Sequence, residues 1–300
     1  MVVEFSQVSK RFWLSRTPAL RGLTLSLGPG EVLGLVGRNG AGKTTSIRIG
    51  AGVCRPDSGF VEVDDLRLDA DKMAASRLLG WVPEESTHDP NARVQSLLRY
   101  YASIVGPAAS VRVDELLRRW GLEPFRRRRV RTLSLGMKRR LSIIASELTA
   151  PPYFLLDEVF NGLDPEAVVS VRSWIRSRRD AGCGLLLSSH NLRELATIAD
   201  RVAILHEGRL LRVLDPSELT NRPSRVVRVD VPGLGDAGRT LLESFGEVVA
   251  TVDGAVVRGD HLDVPAITRA LVNGGYAVHG VTRENDGLED LFLELVRGAS

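Results

Sequence analysis

The stretch Gly37-Arg38-Asn39-Gly40-Ala41-Gly42-Lys43-Thr44-Thr45 (GRNGAGKTT) satisfies G-x-x-x-x-G-K-[ST], and its reading decides the fold. Its glycines let backbone N–H groups wrap phosphate oxygens. Lys43 is placed to reach the β- and γ-phosphates, and the Thr44 hydroxyl to meet Mg²⁺. All nine residues are expected to line a nucleotide's phosphates. The motif carries weight only in context, and the context is present. Leu23, Leu25 and Leu27 alternate with polar partners, Gly28-Pro29-Gly30 makes a turn, and EVLGLV from Glu31 reads as a buried strand entering the loop. A helix is expected to begin over 44–49.

Working outward, FVEVDD from Phe60 reads as a short strand after a CRPDSG turn. Residues 93–105, 111–120 and 133–148 have helical apolar spacing with no strand pattern between them, which predicts a helical subdomain over about 85–150. Strand character returns in YFLLD from Tyr153, GLLLSS from Gly184 and RVAIL from Arg201, with helices starting near Pro165 and Asn191. Buried strands alternating with helices imply a mostly parallel sheet covered on both faces, an α/β P-loop NTPase core. DPSELTNRPS from Asp215 breaks the pattern, so domains are expected at 1–220 and 221–300. Beyond it come RVVRVDV, a helix near 237–244, GEVVATV, GAVVRG, a helix near 265–273 and YAVHGV. That order is the split βαβ pattern of a small α+β, ferredoxin-like domain. An amphipathic helix, LEDLFLELV from Leu288, is expected to close it.

A chain of 300 residues, 43% hydrophobic and 26% charged, suits one large domain plus a small one. Its longest apolar runs are strand-sized, far short of the roughly 20 residues that span a bilayer, so any membrane-spanning work is expected to fall to a separate chain. MVVEFSQVSKRF lacks the layout of a secretory signal, and a cytoplasmic chain is expected. The net charge of +3 is too small to imply a nucleic-acid partner. The basic run RRRRVR from Arg126 reads first as a solvated face, with phosphate or acidic lipid as the alternative. Cys54 and Cys183 fit no metal-ligand spacing and read as buried thiols without a role.

Asp157 and Glu158 follow the apolar strand YFLL, so both carboxylates emerge at its C-terminal end, where ligands sit in open α/β sheets. Asp157 is expected to hold Mg²⁺ through water. Glu158 is expected to orient or deprotonate an attacking water, although an exposed acid opening a loop would read the same way.

With these motifs in place, residues 1–220 resemble the ABC ATPase family. LSLGMKRR from Leu133 looks like the family signature, with Ser134, Gly136 and Arg140 in their places and Leu135 and Met137 departing from it; an ordinary helix start with a Ser cap is the plain alternative. DEVFNGLDP from Asp157 is similar to the Walker B segment and D-loop, with Val159 where proline is usual and Asp164 in the D-loop position. His190 matches the switch histidine that contacts the γ-phosphate. Phe12 matches the adenine-stacking aromatic, with Trp13 as its rival and core packing as the alternative for either. The Q-loop glutamine falls on Glu84 in WVPEE, and Glu84 is expected to accept a Mg²⁺-bound water while adding negative charge near the phosphates.

The resemblance implies ATP as ligand with Mg²⁺, and hydrolysis by Glu158 and His190. It implies two copies meeting head to tail, each nucleotide held by Lys43, Thr44, Asp157 and Glu158 of one chain and by Ser134 and Gly136 of the other. It also implies a separate integral membrane permease, with this chain peripheral on the cytoplasmic face of the cell membrane. ABC ATPase heads also serve in DNA repair and translation. The stretch from Lys43 to Leu133 leaves no room for a chromosome-type coiled coil, and translation-type members carry two ATPase units where this chain has one phosphate loop. The LSLGMK signature, the PEE loop and the small domain ending LEDLFLEL look like a bacterial exporter subunit for drugs, peptides or lipids, with an importer subunit as the alternative.

Overall fold

The computed structural model describes residues 1–220, 226–259 and 262–284. The chain divides into two compact units, Met1–Pro216 and Ser217–Ser300.

In the first unit, Val3, Phe5 and Val8 are buried in β1 (Val3–Lys10), and Leu20, Leu23, Leu25 and Leu27 in β2 (Leu20–Leu27); the three-residue steps from Phe5 to Val8 and from Leu20 to Leu23 coincide with register shifts between the two strands. Strand β3 (Val32–Val36) is buried at every position, as a central parallel strand must be. It runs into the phosphate-loop residues and α1 (Lys43–Gly50). Strands β4 (Ser58–Val63) and β5 (Leu66–Arg67) complete a four-stranded antiparallel sheet in the order β2-β1-β4-β5. Helix α2 (Lys72–Arg77) and strand β6 (Leu79–Val82) follow, then the helical stretch α3 (Val94–Val105), α4 (Pro107–Arg119) and α5 (Leu135–Glu147).

The chain then alternates through β7 (Tyr153–Leu156), α6 (Pro165–Asp180), β8 (Gly184–Ser189), α7 (Leu192–Ala196), β9 (Arg201–His206), β10 (Arg209–Leu214) and α8 (Pro216–Thr220). The second sheet runs β10-β9-β3-β8-β7-β6, parallel except for β10 at its edge. The single mostly parallel sheet expected from the sequence is therefore accompanied by an antiparallel one. One apolar cluster joins Val3 and Phe5 of the antiparallel sheet to Leu33, Leu155 and Leu205 of the parallel one, and Ile47 and Ile49 of α1 belong to it. The helix that follows the phosphate loop is thus anchored in the core.

Side chains fix the starts of α5, α6 and α7, the last through Asn191 Oδ1, which accepts from the Glu194 N–H (3.2 Å). Ser134 Oγ accepts from the Met137 N–H (3.3 Å) at the head of α5. Asp164 Oδ1 accepts from the Ala167 N–H (2.7 Å) at the head of α6, with Pro165 in the first turn. The helical stretch is tied to α6 by Glu147, which is 1% exposed. Its carboxylate pairs with Arg178 (3.1 Å) and Arg119 (3.6 Å) and accepts from the Trp120 indole (2.9 Å). Removing one partner of a buried charge cluster strands the others. Glu147→Ala is therefore expected to lower the unfolding free energy by about 3 kcal/mol, and Glu147→Gln by less; urea unfolding reads both, and equal stability of all three proteins would contradict the account.

The second unit contains β11 (Val226–Asp230), α9 (Gly235–Glu243), β12 (Glu247–Thr251), β13 (Gly254–Arg258), α10 (Val264–Asn273) and β14 (Gly280–Glu284). The sheet order is β12-β13-β11-β14, with every pair antiparallel. Its last strand starts later than YAVHGV suggested: the Tyr276 N–H is held by the Leu271 carbonyl at the end of α10, and pairing begins only where Gly280 meets Asp230. Tyr276 and Val278 instead pack against the unit's own core. The helix expected at 288–296 lies outside the described residues. Among the described residues no helix is long and apolar enough to cross a membrane.

Candidate nucleotide site

The site lies at the carboxyl ends of β3, β6, β7 and β8, where side chains leaving neighbouring parallel strands converge. The loop after β3 turns tightly into α1. Gly42 adopts φ 108° at the helix N-cap, a conformation L-residues rarely adopt, and a Cβ there would lie 2.5 Å from the Ala19 carbonyl. A Cβ at Gly37 would collide with the Leu205 carbonyl. Those two glycines therefore set how closely the loop wraps, and the first N–H groups of α1 face an open cavity of about 550 Å³. That volume is in the range of small-molecule sites. Residues 39–45 line it, with Phe12, Ala19, Glu84, Glu158, Asn161 and His190.

Lys43 is 6% exposed, and its Nζ donates to the Gly37 carbonyl (2.7 Å) and lies 3.4 Å from Glu158 Oε1. Glu158 is 6% exposed, and its Oε2 lies 3.0 Å from His190 Nδ1. The Glu158 backbone holds φ 45°, a left-handed value uncommon for this residue type. Its N–H donates to Ser188 Oγ (2.9 Å), and its carbonyl accepts from Arg139 Nη2 (3.4 Å). Ser188 Oγ in turn donates to Asp157 Oδ1 (2.6 Å), which also accepts from Thr44 Oγ1 (3.1 Å). Burial pushes the Asp157 carboxyl above its usual pKa, opposed by the hydroxyls of Ser188 and Thr44.

The structure thus brings Lys43, Thr44, Glu84, Glu158 and His190 to one cavity, with Asp157 bonded behind Thr44. Phe12 lines the cavity, 42% exposed and 5.8 Å from Lys10 Nζ, whereas Trp13 is 99% exposed and outside the lining, so neither is core. Gly37 and Arg38 do not line the cavity; Gly37 contributes its carbonyl to Lys43. Ser134, Gly136 and Asp164 also stay outside it, the first and last engaged as helix caps. Arg127, Arg128, Arg129 and Arg131 are exposed, as a solvated face would be. Their segment is pinned to the start of α3 by bonds from Val94 N to the Arg128 carbonyl and from Gln95 N to the Arg126 carbonyl. Cys54 and Cys183 are half-buried rather than buried.

Sequence reasoning missed Ser188, Arg139 and His88. Ser188 precedes the expected histidine in SSH, and only tertiary pairing shows that it bridges Asp157 to Glu158. Arg139, beside the Arg140 singled out from the signature, is the one buried against the site. His88 bridges Tyr101 (3.2 Å) and Ser142 (3.1 Å), tying the segment after Glu84 to α3 and α5, and its burial lowers its pKa.

The donor set around Thr44 consists of hard oxygens, the hydroxyl and the carboxylates of Asp157 and Glu84. Mg²⁺ takes one or two carboxylates and completes its shell with phosphates and water. The residues present therefore fit that ion, although the described residues hold no cluster of three or more His, Cys, Asp or Glu side chains built for a metal.

A wrapped loop opening a helix at the carboxyl ends of a parallel sheet's strands, with a lysine, a buried carboxylate and a histidine facing it, defines a P-loop nucleotide-binding protein. The comparisons narrow the class. The family model described as ABC transporter matches residues 20–161. The bacitracin transport ATP-binding protein BcrA of Bacillus licheniformis is 31% identical, over 93% of this chain and 92% of that protein. The daunorubicin resistance ATP-binding protein DrrA3 of Streptomyces coeruleorubidus is 32% identical, over 92% of this chain and 90% of that protein. A solved ATP-binding subunit of an ABC transporter superposes with a TM-score of 0.67 at 28% identity, covering 73% of this chain and 92% of that one. The chain belongs to the family of ABC transporter ATP-binding proteins and is an ATPase.

Proposed function

We propose that the chain powers export of a drug, peptide or lipid through a separate membrane permease, working as a head-to-tail pair on the cytoplasmic face of the cell membrane. Full-length similarity to proteins named for bacitracin transport and daunorubicin resistance supports the export reading. The order β-α-β-β-α-β with strands arranged β12-β13-β11-β14 supports a ferredoxin-like accessory domain after the ATPase unit.

In this reading Phe12 stacks on adenine, residues 37–45 wrap the phosphates, and Lys43 turns from Glu158 to the β- and γ-phosphates. Thr44, Asp157 and Glu84 hold Mg²⁺, which supplies charge neutralisation at the phosphates. Glu158, freed from Lys43 and held by His190, accepts a proton from the attacking water. The water oxygen bonds to the γ-phosphorus as the bond to the ADP oxygen breaks.

The observation that carries the dimer is an incompleteness: Ser134 and Gly136 head a helix outside the cavity of their own chain. A helix N-terminus whose capping hydroxyl can still donate its proton suits a phosphate, so a second copy is the natural donor. Mixing tests this. Lys43→Ala and Ser134→Arg chains are each expected to be inactive alone. Mixed in equal amounts they are expected to recover about a quarter of wild-type ATPase, because half the dimers hold one intact site. A mixture as inactive as its components would overturn the shared site.

A further inference from the structure

Arg139 lies in α5, outside the set of groups assigned to nucleotide, yet it is 5% exposed and its guanidinium is turned toward the site. Nη1 donates to the Pro83 carbonyl (2.5 Å) and Nη2 to the Glu158 carbonyl (3.4 Å), while Nε has no partner. Pro83 immediately precedes Glu84, so one guanidinium fork spans the backbones that carry the two carboxylates lining the cavity. Among the described residues no carboxylate lies within ion-pair distance of it. A cation this deep with only two carbonyl acceptors would be costly unless the surrounding field were negative. It is: burial depresses the guanidinium's pKa, and the charges of Glu84, then Asp157 and Glu158, act against that.

We propose that Arg139 is a positioning residue that clamps the Glu84 loop to Glu158 and offsets the charge of Glu84, so that a triphosphate can enter a cavity lined by two carboxylates. Lys43 is the only lysine or arginine among the lining residues, and it already faces Glu158. Without Arg139, and before Mg²⁺ is bound, Glu84 would confront the γ-phosphate with no cation to offset its own charge. The inference rests on the nucleotide reading of the cavity and adds to it a charge exchange between α5 and the loop after β6.

The test is a double-mutant cycle on the full chain, read as ATP affinity by calorimetry with EDTA present so that turnover does not intervene. Arg139→Gln is expected to weaken ATP binding about tenfold, whereas the same change in a Glu84→Gln background is expected to cost less than about threefold. A purely structural arginine would cost the same in both backgrounds, and that result would overturn the proposal. Arg139→Lys keeps the charge and loses the fork. It is expected to hold ATP affinity within about threefold of wild type while turnover with Mg²⁺ falls about tenfold, because Glu158 loses its clamp. A tenfold loss of affinity in the lysine variant would overturn the charge exchange even if Arg139→Gln failed to fold. A wild-type chain that bound no ATP would instead sink the nucleotide reading itself.

Discussion

Glu158→Gln is expected to leave ATP binding intact, or to tighten it, and to lower turnover by about 10²–10⁴-fold, the range of a lost general base. The side chain is 6% exposed, with Oε1 facing Lys43 at 3.4 Å and Oε2 facing His190 at 3.0 Å. Glutamine has the same size and can still engage His190, so packing is preserved. What it lacks is basicity. Its backbone is held independently by Ser188 and Arg139, so the left-handed turn at this position should survive the change. Binding should gain from the removal of a negative charge near the γ-phosphate. Three measurements together decide: phosphate release, ATP affinity, and ATP-dependent dimer formation by gel filtration. If phosphate release stays within about threefold of wild type, Glu158 is not the base. If ATP affinity collapses alongside turnover, the residue is needed for binding rather than for chemistry.

The parts of this site that were legible in the sequence are those whose geometry is local. A glycine-rich turn between a buried strand and a helix presents N–H groups by its own conformation, so residues 37–45 could be read without knowing what packs around them. Asp157, Glu158 and His190 were legible because each follows a buried apolar strand, and parallel strands deliver their C-terminal residues to one edge. The antiparallel sheet was not legible. Val3 and Phe5 alternate with polar neighbours, but Val8 falls out of step, and nothing local says that the segment pairs with β4 across more than fifty residues. Strand β6 escaped because LGWV is only four residues long and lies against the end of α2. Phe12 and Trp13 could not be told apart by type; a one-residue difference in direction puts one ring at the cavity and the other in solvent. Arg139 was hidden because a basic residue in a basic run reads as surface until its partners, Pro83 and the Glu158 carbonyl, are placed.

Lys43→Met should have the largest effect on binding. The lysine stem is buried and the ammonium bridges the Gly37 carbonyl and Glu158, so methionine replaces the stem but leaves both acceptors without their cation. The cavity would then present Glu84 and Glu158 to a tetra-anionic ligand with His190 as the remaining ionisable nitrogen in the lining. Truncating one partner of a buried charged contact costs about 2–5 kcal/mol, so ATP affinity is expected to fall by about 100-fold or more. Thermal unfolding provides a readout that does not depend on turnover. A ligand that binds only the folded state stabilises it by RT ln(1 + [L]/Kd), so ATP should raise the melting temperature of the wild-type protein and leave that of Lys43→Met nearly unchanged at the same concentration. Without ATP the variant should itself melt below wild type, because the buried Glu158 keeps His190 but loses Lys43. Equal ATP-induced shifts in the two proteins would mean that the phosphates are held by backbone N–H groups alone, and that the lysine's contact with Glu158 serves folding rather than nucleotide.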